Sequence, residues 1–150
     1  VNDKMSGSYI SYFENGQIRE EEFYKEGKLH GIYRRYFKTG ELREEENFRD
    51  GKFDGDYVCY YKGGQIKEKG SFKNDKREGD YVAYYKNGQI REQATYINGH
   101  LKGKFLSFAE NGALADQDTA EDETQARTWE EKDIAGLLND LSHFDQKKKE

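Results

Sequence analysis

The sequence predicts an all-β repeat fold: an elongated antiparallel meander of about five β-hairpin units, followed by a C-terminal amphipathic helix. Three observations predict it. A 24-residue phrase recurs without insertion or deletion, its copies opening at Gly7, Gly31, Gly55, Gly79 and Gly103 and carrying Gly16, Gly40, Gly64, Gly88 and Gly112 at one shared interior position. Two turn signals recur inside each copy. Between the turns, apolar and polar residues alternate with the two-residue period of a strand.

Composition fits a thin, extended body. The 150 residues are 37% charged, 33% hydrophobic and 15% aromatic, with no proline. So few aliphatic residues would ordinarily suggest disorder, but the phased Tyr and Phe supply apolar area at regular intervals. Net charge is −5; up to Glu110 there are 20 Lys/Arg against 19 Asp/Glu, and from Asn111 on 5 against 11, so the acidity belongs to the tail. No one-sign basic face points to nucleic acid, and no nucleic-acid partner is expected. The single cysteine, Cys59, excludes an intrachain disulfide. No apolar run approaches membrane-spanning length. A chain opening VNDKMSG shows no signal peptide; a cytoplasmic location is favoured, and export of a processed precursor is compatible with it.

Residues 1–6 read as a polar lead-in and 7–118 as the array, divided 7–30, 31–54, 55–78, 79–102 and 103–118. In the first unit Asn15-Gly16 signals a two-residue hairpin turn, whose central positions both need positive φ. That turn sets Phe13 opposite Ile18, Ser11 opposite Glu20, Tyr9 opposite Glu22 and Gly7 opposite Tyr24. Glu26-Gly27 then reverses the chain and sets Tyr24 against Leu29. Carried onward, this register places Tyr33, Phe37, Leu42 and Phe48 on one apolar face, with Tyr57, Tyr61, Ile66 and Phe72, then Tyr81, Tyr85, Ile90 and Tyr96. The opening glycines fall opposite an aromatic ring, which they let lie flat on the sheet.

The other face carries an aromatic column, Tyr12, Tyr36, Tyr60, Tyr84 and Phe108, flanked by Ile10, Val58, Val82 and Leu106. Arg19, Arg43, Lys67 and Arg91 are expected opposite the column, each stem covering a ring. A one-residue bulge at the turn would exchange details between the faces. At two strands per unit, the array advances roughly 10 Å per repeat.

The fifth unit decays, with Ala109 and Ala113 in place of the aromatic and the glutamine. From Asp116 to Thr124 the acidic chain reads as a frayed edge or a linker, the linker proper spanning 119–127. Thr128 to Glu131 forms a capping box. Trp129, Ile134, Leu137, Leu138 and Leu141 follow at helical spacing over 128–143, a helix that either caps the sheet or docks into a partner. Residues 144–150 are a charged tail.

Little in the chain carries chemistry. His30, His100 and His143 share no register and no metal-ligand spacing, so no metal is expected. Cys59 fills a slot held by Ser11, Arg35, Ala83 and Ser107 elsewhere, which reads as packing. No phosphate-cradling loop leads into a helix. No catalytic residue and no cofactor is expected, and the chain reads as a non-enzyme. One stripe stands out: Glu20, Glu44, Glu68 and Glu92, continued by Asp116, set too far apart for paired acid–base work. These carboxylates either bond to neighbouring Tyr hydroxyls and basic side chains, or form a ladder that receives basic side chains of a bound protein.

The units resemble the MORN-variant repeats of bacterial proteins, many of them labelled YwqK-family antitoxins of toxin–antitoxin systems. Gly31, Tyr33, Tyr36, Phe37, Gly40, Leu42, Glu45, Phe48, Gly51, Lys52 and Gly55 match the motif, and most recur one period away. The glutamate position departs at Lys69 and Gln93, and the third unit has Asp75 where its second turn would carry glycine. The resemblance implies a ribbon of hairpins that serves binding or scaffolding. The expected function is a non-enzymatic protein-binding module, of the kind in which an antitoxin or immunity-type protein masks a toxin or effector. The alternative is a structural or membrane-adjacent scaffold with weak membrane contact. Self-association through sheet edges is a further expectation. The residues expected to carry binding are Tyr12, Tyr36, Tyr60, Tyr84 and Phe108, Arg19, Arg43 and Arg91, and the four glutamates. Trp129, Ile134, Leu137, Leu138 and Leu141 would carry helix docking.

Overall fold

Each repeat folds as a short strand, a long return strand and a two-residue strand that starts the next unit. The computed structural model describes residues 3–120. The outgoing strands are β1 (Gly7–Tyr12), β4 (Gly31–Tyr36), β7 (Gly55–Tyr60), β10 (Gly79–Tyr84) and β13 (Lys104–Phe108). The return strands are β2 (Ile18–Lys25), β5 (Leu42–Arg49), β8 (Ile66–Lys73), β11 (Ile90–Ile97) and β14 (Leu114–Thr119). Between units lie β3 (Lys28–Leu29), β6 (Lys52–Phe53), β9 (Lys76–Arg77) and β12 (His100–Leu101). All belong to one antiparallel sheet of 14 strands in the order β1-β2-β4-β5-β7-β8-β10-β11-β13-β14, each short strand pairing back onto the return strand before it. The expected C-terminal helix over 128–143, with Trp129, Ile134, Leu137, Leu138 and Leu141, lies outside the described residues.

The two turns of a unit exchange the chemistry expected of them. Glu26-Gly27 makes the turn with two left-handed residues, φ +49° and +78°, as do Asp50-Gly51, Asn74-Asp75 and Asn98-Gly99. The Asn15-Gly16 turn does not: only Gly16 has positive φ, at +87°. Here the Gly16 amide donates to the Phe13 carbonyl at 3.0 Å and the Phe13 amide to the Gln17 carbonyl at 2.8 Å, so the loop is Glu14-Asn15-Gly16. The Asn15 side chain accepts from the Gln17 amide and steadies it. A third loop residue leaves Tyr12 opposite Ile18 and makes Arg19 a bulge, while Ser11 still faces Glu20 and Gly7 still faces Tyr24. The same shift occurs in all five hairpins.

The opening glycines are needed for backbone rather than for ring clearance. Gly31 has φ +88° and Gly79 +85°, in the left-handed region where the strand kinks from one partner to the next. A Cβ on Gly79 would meet nothing within 4 Å, which removes the expected role of making room for a ring.

One face of the sheet is buried by its own side chains. Tyr24, Leu29, Tyr33, Phe48, Phe53, Tyr57, Cys59 and Phe72 form one cluster, and Tyr81, Ala83, Ala94, Tyr96, Leu101 and Phe105 a second. The first is stitched by ring contacts: Phe48 to Phe53 at 4.6 Å, Phe53 to Phe72 at 5.1 Å and Tyr57 to Phe72 at 5.3 Å. At about 1.5–3 kcal/mol per buried large apolar side chain, these rings supply what the missing aliphatics do not. β14 pairs Asp116 with Ser107 and Thr119 with Lys104, so the fifth unit is strand to Thr119, one residue past its expected end at 118.

Candidate functional site

The sheet offers three places where named side chains could act: a polar seam within the buried face, a row on the opposite face, and the rim formed by the first turns.

The seam is a line of paired residues: Ser11, Glu20, Arg35, Glu44, Cys59, Glu68, Ala83, Glu92, Ser107 and Asp116. The expected acidic stripe is therefore real as a line, half-buried at Glu68 and Glu92 and exposed at Asp116. Glu20 and Glu44 are buried. The Glu44 carboxylate accepts from Arg35 Nε, and the Cys59 Sγ stands 3.9 Å from its other oxygen. Glu68 and Glu92 both reach the Tyr81 hydroxyl, at 3.2 and 2.9 Å, so one hydroxyl spans two repeats. Among the described residues no group of His, Cys, Asp and Glu could hold a metal ion.

Arg77 is the residue that sequence reasoning missed. It stands in the slot of Leu29, Phe53 and Leu101 and is 2% exposed. Its guanidinium carbon lies 5.9 Å from the Tyr57 ring and 5.4 Å from Phe72, in the first cluster. It lies 4.6 Å from Tyr81 and 5.5 Å from Tyr96, in the second. Nη1 donates to the Tyr57 hydroxyl at 3.1 Å. A cation thus joins the two apolar clusters through ring faces. The signal was available: one basic residue in a slot otherwise held by Leu or Phe.

Burial raises the tyrosine pKa values on this face. Tyr33, Tyr57 and Tyr24 are all pushed well above the ordinary phenol range, chiefly by burial. For Tyr24 the hydrogen bond to Glu22 adds to it, and for Tyr57 the Arg77 charge works against it. These hydroxyls remain protonated.

The opposite face carries five pairs at the repeat period: Tyr12 with Ile18, Tyr36 with Leu42, Tyr60 with Ile66, Tyr84 with Ile90 and Phe108 with Leu114. The aliphatic partners were expected beside Tyr33 and its equivalents, and the bulge moves them across. Tyr12 and Leu114 are 58% and 53% exposed, and the rest half-buried. Tyr36 donates to Glu21 at 2.6 Å; burial first, and then that bond, push its pKa up to about 12. Glu21, opposite Arg34, lies on this face, so the tyrosine's polar end is fixed while its ring stays accessible.

The expected Tyr–Arg cross-strand pairs do not form. Arg19 and Glu20 together face Ser11, and Arg19 Nε donates to the Ser11 hydroxyl at 3.3 Å. Arg43 instead lies over Phe37 at 5.8 Å, and Lys67 over Tyr61 at 5.9 Å. Arg91, half-buried, stands 4.0 Å from Glu92. Arg43 and Lys67 thus join the turns in a rim and leave the tyrosine row.

The family profile described as "MORN repeat variant" matches residues 5–26, 29–50, 53–74 and 77–98. No curated protein matches the chain. Among solved structures, the one described as "Crystal structure of GtfA/B complex bound to UDP and GlcNAc" is similar over 93% of this chain, at 13% identity and a TM-score of 0.30. The chain spans 30% of the length of that structure's chain.

Proposed function

The chain belongs to the MORN repeat variant family, and from that premise we propose that it is a non-enzymatic protein-binding module that masks a partner, as an antitoxin or immunity-type protein does. The observation that carries this reading is the row of half-exposed Tyr–aliphatic pairs, repeated once per hairpin on the face that no other element covers among the described residues. Tyrosine gives large contact area for the loss of two side-chain torsions, and the sheet holds the rings at fixed spacing. A partner seated on the row buries rings whose geometry is already set, which lowers the cost of ordering the interface. Glu20 and Glu44 are buried, so the partner meets the tyrosine row rather than the acidic seam.

The test is capture of proteins from a lysate of the source cell by the wild type and by the variant Tyr36→Ser, Tyr60→Ser, Tyr84→Ser. A partner of the wild type should bind the variant at least about tenfold more weakly, because ring truncations at an interface centre commonly cost 1 kcal/mol or more each. Thermal melts of both proteins establish that the sheet is intact. A specific partner held equally by both would remove the row from the reading.

A further inference from the structure

From the geometry of the first turns we infer a second interaction surface, a rim that takes an extended acidic polypeptide segment. It is separate from the tyrosine row. Over the three central hairpins the exposed rim cations are Lys38, Arg43, Lys62, Lys67 and Lys86, against a single carboxylate, Glu41, while Arg91 stands half-buried beside Glu92. The Glu41 carboxylate is occupied: its Oε2 accepts the Gly63 amide of the next hairpin at 3.1 Å. Lys38, Arg43, Lys62, Lys67 and Lys86 are exposed, and none forms an ion pair among the described residues. On the opposite long edge, by contrast, Arg49 is paired with Asp54 at 3.3 Å.

The rim cations are held in place. Phe37 has Arg43 at 5.8 Å and Lys62 at 5.9 Å over its ring, and Tyr61 has Lys67 at 5.9 Å and Lys86 at 5.8 Å. The Tyr61 ring is fixed in turn, since its hydroxyl donates to the Tyr84 carbonyl at 2.7 Å, and the Tyr85 hydroxyl makes the equivalent bond to the Phe108 carbonyl at 2.6 Å one repeat on. Side chains restrained by ring contacts lose less freedom when they take up a carboxylate. Phe37 and Tyr61 already carry two cations each, which argues against their stacking nucleobases. The turn tips themselves, Thr39-Gly40-Glu41, Gly63-Gly64-Gln65 and Asn87-Gly88-Gln89, carry no large apolar side chain to enter a lipid surface.

Spacing selects the partner further. Two strands per repeat set the cation groups about 10 Å apart, and an extended segment in the polyproline II form, rising about 3.1 Å per residue with about three residues per turn, brings every third side chain back to the same face. Carboxylates at every third position of such a segment therefore meet successive hairpins.

The experiment uses the full chain and a fluorescent peptide with glutamate at every third position among serine and glycine. A peptide of the same composition with its glutamates contiguous, a single-stranded oligothymidylate and phosphatidylserine–phosphatidylcholine vesicles serve as competitors. The spaced peptide should bind best, and its affinity should fall as salt rises. The variant Lys62→Gln, Lys67→Gln, Lys86→Gln should lose about tenfold or more. Lys28→Gln, Lys52→Gln, Lys76→Gln, the same charge change on the opposite edge, should lose less than about twofold. Equal losses at both edges, equal binding of the contiguous peptide, or tighter binding of the oligonucleotide or vesicles would overturn the inference. The Tyr36, Tyr60 and Tyr84 serine variant should bind the peptide like wild type, so the rim and the row can fail separately.

Discussion

Arg77 is the residue whose removal should most change how the array holds together. Replacing it with alanine removes a guanidinium that four rings approach within 4.6–5.9 Å, and takes the Nη1 donor from Tyr57. Desolvated cation–ring contacts are worth up to about 2 kcal/mol and a charged hydrogen bond about 1.5–3. Truncating a large buried side chain leaves a cavity costing about 2–5 kcal/mol. These contributions overlap, and part is offset because the guanidinium no longer has to be desolvated, so the net loss expected for Arg77→Ala is about 3–5 kcal/mol. Arg77→Leu places the residue of Leu29 and Leu101 in the same slot, restores apolar packing and loses only the polar part, about 1–2 kcal/mol. Urea unfolding followed by far-ultraviolet circular dichroism measures both. Because Arg77 joins two clusters and array stability rests on nearest-neighbour interfaces, the alanine variant should also unfold in two steps where the wild type shows one. An Arg77→Ala protein within about 1 kcal/mol of wild type, unfolding in a single step, would refute the assignment of Arg77 as the joint.

The tyrosines make stability fall at alkaline pH. Tyr24, Tyr33, Tyr36 and Tyr57 have folded pKa values above the unfolded value near 10, so the unfolded chain releases protons first; their contribution is complete below pH 10 and is lost as pH rises through the folded values. The expected slope is up to about 1.4 kcal/mol per pH unit for each fully buried tyrosine, and ultraviolet titration should show Tyr24, Tyr33 and Tyr57 ionising only on unfolding. Gly79→Ala and Gly70→Ala should both destabilise, for opposite reasons measurable by thermal melts. At Gly79, φ is +85° with open space around a Cβ, so the cost is backbone strain of about 1–2 kcal/mol. At Gly70 a Cβ would stand 2.9 Å from the Tyr57 ring, an overpacking cost of about 1–3 kcal/mol that Tyr57→Ala in the same chain should reduce. Asp75→Gly should be nearly neutral, within about 0.5 kcal/mol, since relief at φ +66° offsets loss of the 2.8 Å bond from the Phe53 amide to the Asp75 side chain.

The repeat period made most of this architecture legible. Gly7 opposite Tyr24 and Tyr24 opposite Leu29 follow from phase alone, because strand alternation and the second turn agree on one register. The first turn was misread because Asn-Gly serves two loop lengths. As two residues it places Phe13 opposite Ile18; as the end of a three-residue loop it places Tyr12 there and bulges Arg19. Local residue preference does not separate the two, and the choice is made by how the neighbouring hairpins pack. The tyrosine row survived this error because it lies before the turn on the outgoing strand, whereas Ile18, Leu42, Ile66 and Ile90 lie just after it and changed face.

The same bulge decides where the charges go, which is why an array with nearly balanced charge has a mainly basic rim over its three central hairpins. In the doublets Arg19-Glu20, Arg43-Glu44, Lys67-Glu68 and Arg91-Glu92, both residues face the same partner slot across the hairpin. The shorter glutamate turns into the seam, where Arg35 holds Glu44 and Tyr81 holds Glu68 and Glu92. In the second and third doublets the longer cation reaches outward over Phe37 or Tyr61 at the turn. Had the strands alternated without a bulge, each doublet would place one charge on each face, the cation against the tyrosine row and the acid against the aromatic clusters. The bulge keeps these cations off the tyrosine row, so a row of Tyr–aliphatic pairs and a basic rim coexist on one single-layer sheet.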